Sequence, residues 1–261
     1  MTRIFDWPEL NRLADIATQA GEAIMAVYAT DFSHQQKDDA SPVTEADLRA
    51  DAVIRAALAQ AFRGTPVVSE EHTALFAAET REFFLVDPLD GTKEFLARNG
   101  EFTVNVALIR DGRPVASVVG VPACGVLYLA AQGLGAFRRD AAGQVGLRVA
   151  APAPGQPLRV IGSRSHAGAE MAAWLAQLSV PHVFMAAGSS LKFCRIAEGA
   201  ADVYPRFGPT CQWDTAAGQC VLEQAGGSVT EPSGTPLRYG LERPLLNPYF
   251  IARGAASYEL S

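Results

Sequence analysis

The sequence predicts an α/β (α+β) fold in two parts, an N-terminal α+β part of residues 1–152 and a C-terminal α/β part of residues 153–261. Three observations carry that expectation. Apolar residues at helical spacing open the chain, short apolar runs separated by turn dipeptides fill its middle, and strand and helix patterns alternate after a Pro- and Gly-bearing linker, Ala151 to Pro157.

Between Pro8 and Tyr28, Leu10, Leu13, Ile16, Ala17, Ala20, Ile24 and Val27 fall on one helix face, and Pro8 suits the first turn, where its missing N–H breaks no bond. A polar segment, Asp31 to Pro42, leads into Thr44-Glu45-Ala46-Asp47. A second helix carrying Val53, Ile54, Ala57, Leu58 and Phe62 follows and ends near Gly64. Two helices are therefore expected ahead of the first strand.

Strands are expected at Pro66 to Ser69, Phe83 to Val86, Thr103 to Arg110 and Val115 to Val121, the last two joined by an Asp111-Gly112 hairpin turn. A further pair surrounds Gln132-Gly133, so the middle of the chain reads as an antiparallel meander. Beyond the linker the order is a strand at Leu158 to Ser163, a helix near Gly168 to Leu178 and a strand at His182 to Ala186. A helix near Ser189 to Glu198, a strand at Ala201 to Pro205 and a helix from Asp214 to Ala225 complete it.

Composition narrows the function. With 28 acidic against 22 basic side chains the net charge is −6, and no Lys or Arg run exceeds Arg138-Arg139, so neither a nucleic-acid polymer nor an anionic membrane is the expected partner. The uncharged stretch Val115 to Phe137 is long enough to span a bilayer. Gly120, Pro122, Gly125, Gly133 and Gly135 break it into strands and turns, so no integral membrane segment is expected. Arg3, Asp6 and Glu9 leave no secretory apolar region. Cys124, Cys194, Cys211 and Cys220 have neither zinc-site nor disulfide-framework spacing, and a reducing cytoplasm is the expected setting.

Chemistry concentrates in carboxylates. Asp87-Pro88-Leu89-Asp90-Gly91-Thr92 follows the apolar run Phe83 to Val86, Ser69-Glu70-Glu71 follows another strand, and Trp213-Asp214 opens a helix. Together with Asp47 these display acidic side chains at the ends of elements, where functional groups are usually held. If they converge, they cannot all stay ionised without a cation. An all-oxygen ligand set, the Leu89 carbonyl included, points to Mg²⁺ with Mn²⁺ as the alternative, and phosphoryl transfer is the chemistry that uses such a site. Each piece also has a plainer reading: helix capping for Thr44 to Asp47 and for Asp214, ordinary turns for Asp87-Pro88 and Asp90-Gly91, and a solvated pair for Glu70-Glu71.

Val67 to His72 (VVSEEH), Leu85 to Phe95 (LVDPLDGTKEF) and Trp213 to Gly227 (WDTAAGQCVLEQAGG) resemble the three metal-site motifs of the lithium-sensitive, Mg²⁺-dependent phosphatases of the inositol monophosphatase superfamily. Lys93-Glu94 stands where inositol monophosphatases usually carry Asn, and Thr215 stands where they carry Ala or Cys. Both departures, with Gly188 to Thr210 (GSSLKFCRIAEGAADVYPRFGPT), resemble the bisphosphate nucleotidase branch.

The resemblance implies a layered sandwich of alternating helices and sheets and a small nucleotide as substrate. It implies that Glu70, Asp87 and the Leu89 carbonyl hold one Mg²⁺, that Asp87, Asp90 and Asp214 hold a second, and that a third sits near Glu70. Thr92, Asp47 and Glu70 would orient and deprotonate the attacking water, and the Gly91 and Thr92 amides would bind phosphate oxygens. Ser165 and His166, beside Ser163 and Arg164, would approach the nucleotide, while Ser189, Lys192 and Arg206 would approach the phosphate that is not cleaved. The implied reaction converts 3′-phosphoadenosine 5′-phosphate to AMP and phosphate, with the 5′-phosphosulfate form as a second substrate, in sulfur assimilation. Peripheral attachment to the cytoplasmic face of the inner membrane and a homodimer are further implied options.

One feature of composition agrees independently. The chain has only three Lys, Lys37, Lys93 and Lys192, and the last two lie in these segments. An inositol or other sugar phosphatase, and a nucleotide sensor without turnover, are the alternatives. A phosphatase forming an aspartyl-phosphate is disfavoured because DPLDGT lacks the Asp-x-Asp order.

Overall fold

The computed structural model describes residues 5–30, 34–36, 42–73, 80–152, 155–163 and 168–255. Helix α1 (Trp7–Tyr28) starts at a reciprocal capping box in which Asp6 accepts from the Glu9 N–H at 2.9 Å and Glu9 accepts from the Asp6 N–H at 3.0 Å. Two short strands, β1 (His34–Gln36) and β2 (Pro42–Thr44), pair antiparallel before α2 (Glu45–Ala61) begins. The expectation that two helices precede any strand is thus corrected. A three-residue ribbon is held by backbone pairing and shows no apolar alternation by which a sequence reading could find it.

Next come β3 (Val67–Ser69), β4 (Glu82–Asp90), α3 (Thr92–Leu96), β5 (Thr103–Arg110), β6 (Arg113–Val121), β7 (Val126–Ala131), β8 (Gly135–Asp140) and β9 (Gly143–Gly146). They form a seven-stranded sheet in sequential order, antiparallel except for the parallel pair β3–β4. The uncharged stretch Val115 to Phe137 falls on β6, β7 and β8, and no helix of the described residues is long and apolar enough to cross a membrane.

The remaining elements are β10 (Leu158–Gly162), α4 (Ala169–Ala176), β11 (His182–Ala186), α5 (Leu191–Ala197), β12 (Val203–Arg206), α6 (Gln212–Gln224), β13 (Ser228–Thr230) and β14 (Phe250–Arg253). The second sheet has the order β11-β10-β12-β14-β13, with β11, β10 and β12 parallel and β14 antiparallel to both neighbours. Sequence periodicity alone did not reveal β9, β13 or β14, which are only three or four residues long.

Side-chain alternation along the strands builds the layers. On β4 and β5, Phe84, Val86, Val104, Val106 and Leu108 pack with Leu13, Ile24, Ile54 and Leu58 of α1 and α2. The opposite face, with Phe83, Leu85, Ala107 and Ile109, packs against Phe193 and Cys194 of α5 and Ala216, Cys220 and Val221 of α6. Ile161, Tyr204 and Phe250 of the second sheet close the same cluster from beyond α5 and α6. Val160, Val203 and Ile251 on its outer face meet Trp174, Leu175 and Leu178. Helices and sheets therefore stack as five layers, αβαβα. Because both faces of the large sheet are covered, its strands read as continuous apolar runs although they pair antiparallel. Truncating a fully buried residue such as Phe84 to Ala would cost about 3–5 kcal/mol.

Candidate metal centre and substrate cleft

The apolar residues Phe83 to Val86 seat β4 between β3 and β5, and the strand continues through Asp87 to Asp90 with a register shift between those two residues. Pro88 has no N–H to give to a ladder, and a bulge is where a strand tolerates that. The segment taken alone as two turns is thus an irregular strand end. Asp87 is buried and accepts from the Leu89 N–H at 3.1 Å. Gly91 then reverses the chain at φ +96°, a conformation that strains any residue with a Cβ, and α3 begins at Thr92.

Two other elements bring carboxylates to this point. Glu70 follows β3 in a tight turn, and its N–H donates to the Val86 carbonyl at 3.1 Å, immediately before Asp87. Helix α6 begins two residues earlier than expected, with Cys211 as its N-cap. Asp214 is consequently its third residue, accepting from the Cys211 N–H at 2.8 Å, and is not the N-cap itself. Carboxylate oxygens of Glu70, Asp87 and Asp214 lie within 4.8 Å of one another.

Electrostatics follow from this crowding. Asp87 is held well above the usual carboxylate range, first by burial and then by Glu70, Asp90, Asp214 and Asp47. Asp214 is pushed up to about 8, first by burial and then by Asp90, against the lowering effect of the Cys211 N–H. Three convergent oxygen ligands that cannot all carry charge by themselves fit a hard divalent cation, and this acidic cluster could hold one.

Asp90 stands beside the cluster with Oδ2 accepting four bonds: from Ser190 N at 2.6 Å, Ser190 Oγ at 3.0 Å, Asn105 Nδ2 at 3.3 Å and Thr103 Oγ1 at 3.4 Å. Ser190 Oγ also lies 2.7 Å from the Asp214 carbonyl, so its single proton can go to either acceptor while the backbone N–H holds Asp90. Asp47 is buried in the first turn of α2, near enough to raise Asp87.

A cleft of about 290 Å³ opens over these groups, lined by Glu70, Asp87, Leu89, Asp90, Gly91, Thr92 and Asp214 together with Ser189, Lys192, Tyr204 and Arg206. Lys93 and Ser163 also line it. Lys192 is buried, donates from Nζ to the Ser189 carbonyl at 2.6 Å and stands 5.2 Å from the Tyr204 ring centre. Burial lowers it to about 8, against the opposing pull of Asp90. Arg206 donates from Nη2 to the Pro209 carbonyl at 2.8 Å, while its buried Nε meets no acceptor among the described residues. Ser189 adopts φ +46°, unusual for a residue with a side chain.

Thus Glu70, Asp87, Leu89, Asp90, Gly91, Thr92, Ser189, Lys192, Arg206 and Asp214 share one cleft, and Asp47, which does not line it, acts electrostatically on Asp87. Ser165 and His166, with Arg164, lie outside the described residues, as does Lys37. The sequence reading missed Ser190, Asn105, Thr103, Tyr204 and Asp51. Asn105 alone carried a signal, a polar side chain inside the apolar run Thr103 to Ile109 that burial obliges to find a partner.

Residues 8–258 match the inositol monophosphatase family. The chain is 46% identical over 245 residues, 92% of its length and 98% of the relative's, to the 3′(2′),5′-bisphosphate nucleotidase CysQ of Escherichia coli. It is 33% identical over 254 residues, 96% of its length and 94% of the relative's, to the protein of the same name from Haemophilus influenzae. The crystal structure of CysQ from Bacteroides thetaiotaomicron, described as a bacterial member of that family, superposes with a TM-score of 0.84 at 37% identity, covering 95% of this chain and 97% of that one.

Proposed function

The chain belongs to the inositol monophosphatase family, and from that premise we propose that it is a metal-dependent 3′(2′),5′-bisphosphate nucleotidase. It hydrolyses the 3′-phosphate of 3′-phosphoadenosine 5′-phosphate, water adding to phosphorus as the ester bond breaks, to give AMP and inorganic phosphate. The 5′-phosphosulfate form is a second substrate.

The observation that carries this reading is that one cleft holds two kinds of group. The carboxylates Glu70, Asp87 and Asp214 suit a cation-bound phosphate, and Lys192 and Arg206 in the same lining suit a second anionic group. A substrate with two phosphates can use both sets, one phosphate against the cation-loaded carboxylates and the other in charge-assisted bonds to Lys192 and Arg206.

Glu70, Asp87 and the Leu89 carbonyl would hold one Mg²⁺, and Asp87, Asp90 and Asp214 a second, with a third near Glu70 and Mn²⁺ as a substitute. Such ions neutralise the carboxylates, polarise the phosphate and lower the pKa of bound water. Thr92 Oγ1 orients the attacking water, and Asp47 and Glu70 draw off its proton. The amides of Gly91 and Thr92 hold phosphate oxygens at the start of α3. Ser189, Lys192 and Arg206 hold the phosphate that stays on the nucleotide, with Ser165 and His166 toward the base. Four cysteines without disulfides accord with a reducing, cytoplasmic setting.

The test is phosphate release from 3′-phosphoadenosine 5′-phosphate and from inositol 1-phosphate in Mg²⁺, with and without Li⁺. A strong, lithium-sensitive preference for the nucleotide supports the assignment. Preference for inositol 1-phosphate, or full turnover by Asp87→Asn, refutes it.

A further inference from the structure

Asp51 lies on α2 one turn beyond Asp47 and is only 1% exposed, although it lines no part of the cleft. A carboxylate that deep is costly unless it is well paired. Its Oδ1 accepts from Ser69 Oγ at 2.5 Å, and its Oδ2 faces His72 Nδ1 at 2.7 Å and Arg55 Nη1 at 3.3 Å.

Ser69 and His72 are the two ends of one turn. The Ser69 N–H donates to the His72 carbonyl at 3.3 Å and the His72 N–H to the Ser69 carbonyl at 3.1 Å, and the residues between them are Glu70 and Glu71. One buried carboxylate therefore grips both ends of the turn that carries Glu70 toward Asp87 and Asp214. That turn brings Glu70 to within 4.8 Å of Asp87 and Asp214, so its placement depends on how firmly its two ends are held. A carboxylate holds them well, since its two oxygens accept from several donors at once, which a side-chain amide cannot match.

The geometry points to Asp51 as a positioning residue for metal binding: it clamps the Ser69–His72 turn, so that Glu70 is already in place when a cation arrives. The inference rests on the metal-dependent reading of the cleft. Asp51 touches neither substrate nor the reacting atoms. Its effect falls on metal affinity, with little on turnover once metal is saturating.

The experiment compares Asp51→Asn, His72→Ala and the double variant with the unmodified protein, reading two quantities. The first is Mn²⁺ binding to the substrate-free protein by calorimetry, and the second is the Mg²⁺ concentration for half-maximal phosphate release together with kcat at saturating Mg²⁺. Asp51→Asn should weaken Mn²⁺ binding roughly ten-fold and shift the Mg²⁺ midpoint in parallel, with kcat at saturation within about two-fold. His72→Ala should move both in the same direction, and the double variant should be no worse than Asp51→Asn, because both changes release one clamp. His72 is 53% exposed at its side chain, so its variant keeps the test open if Asp51→Asn does not fold. Unchanged metal affinity in folded variants, or lost kcat at an unshifted Mg²⁺ midpoint, overturns the inference. Metal-independent turnover by the unmodified protein would instead overturn the functional reading beneath it.

Discussion

Ser190 donates its backbone N–H to Asp90 Oδ2 at 2.6 Å across one hundred residues of sequence, and its hydroxyl reaches the Asp214 carbonyl. This serine, immediately before α5, ties the end of β4 to the first turn of α6, the two segments that carry Asp87, Asp90 and Asp214. The cluster is therefore built at the junction of the two sheets' supporting helices, and its shape depends on residues that bind no cation themselves.

Removing that hydroxyl tests the tie. Ser190→Ala leaves the N–H bond but strips the Oγ contacts to Asp90, Asn105 and Asp214. A loss of about 1–3 kcal/mol in urea denaturation is expected, together with weaker Mg²⁺ stabilisation in thermal melts. A variant as stable and as metal-responsive as the parent would show that the hydroxyl is dispensable.

The carboxylate cluster sets a pH dependence. Asp214 at about 8, and Asp87 well above its ordinary value, both lie above the unfolded value of about 3.9. Between those limits the native state binds more protons than the unfolded chain, so the associated stability is fully present below about pH 4 and is lost as pH rises through the folded values. Metal-free protein should therefore lose up to about 1.4 kcal/mol per pH unit per group on going from pH 5 to pH 8. Saturating Mg²⁺ should flatten the profile. Melting temperatures across that range, in chelator and in Mg²⁺, check both statements, and a level metal-free profile would contradict them.

Lys192 is expected to act on one substrate class. Lys192→Met removes a buried cation held beside the Ser189 carbonyl and Tyr204. Loss of a charge-assisted bond of about 1.5–3 kcal/mol should raise KM for 3′-phosphoadenosine 5′-phosphate by roughly 10- to 150-fold. Turnover of inositol 1-phosphate should change little. Equal losses on the two substrates would place Lys192 elsewhere in the mechanism.

Gly188 is a steric requirement of the same junction. A Cβ there would stand 2.6 Å from Glu94 Cγ and 2.8 Å from the Glu101 carbonyl oxygen, and the Gly188 N–H donates to Glu101 Oε2 at 2.9 Å. Gly188→Ala should cost about 1–3 kcal/mol by overpacking and displace Ser189 and Ser190 with it. Chemical denaturation and nucleotide KM measure the two effects, and parental values for both would show that the loop yields freely.

The sequence by itself determined the long elements and the chemical type of the site. Helices α1, α2 and α6 and strands β5 to β8 are legible because burial of one helix face, or of both sheet faces, imposes an apolar period that the chain must carry in its residues. The acidic motifs at Glu70, Asp87 to Asp90 and Asp214 are legible because no apolar core explains carboxylates placed at element ends. Tertiary structure decided what no local pattern encodes: that Glu70, Asp87 and Asp214 meet within 4.8 Å, that Ser190 and Asn105 share Asp90, and that Asp51 grips both ends of the Glu70 turn. It also decided the short strands β1, β2, β9, β13 and β14, whose partners lie elsewhere in the chain or whose lengths are too small to show a period. The reason is the same in each case. Periodicity records which side of an element is buried, whereas a hydrogen bond between residues one hundred positions apart exists only once five layers have been stacked.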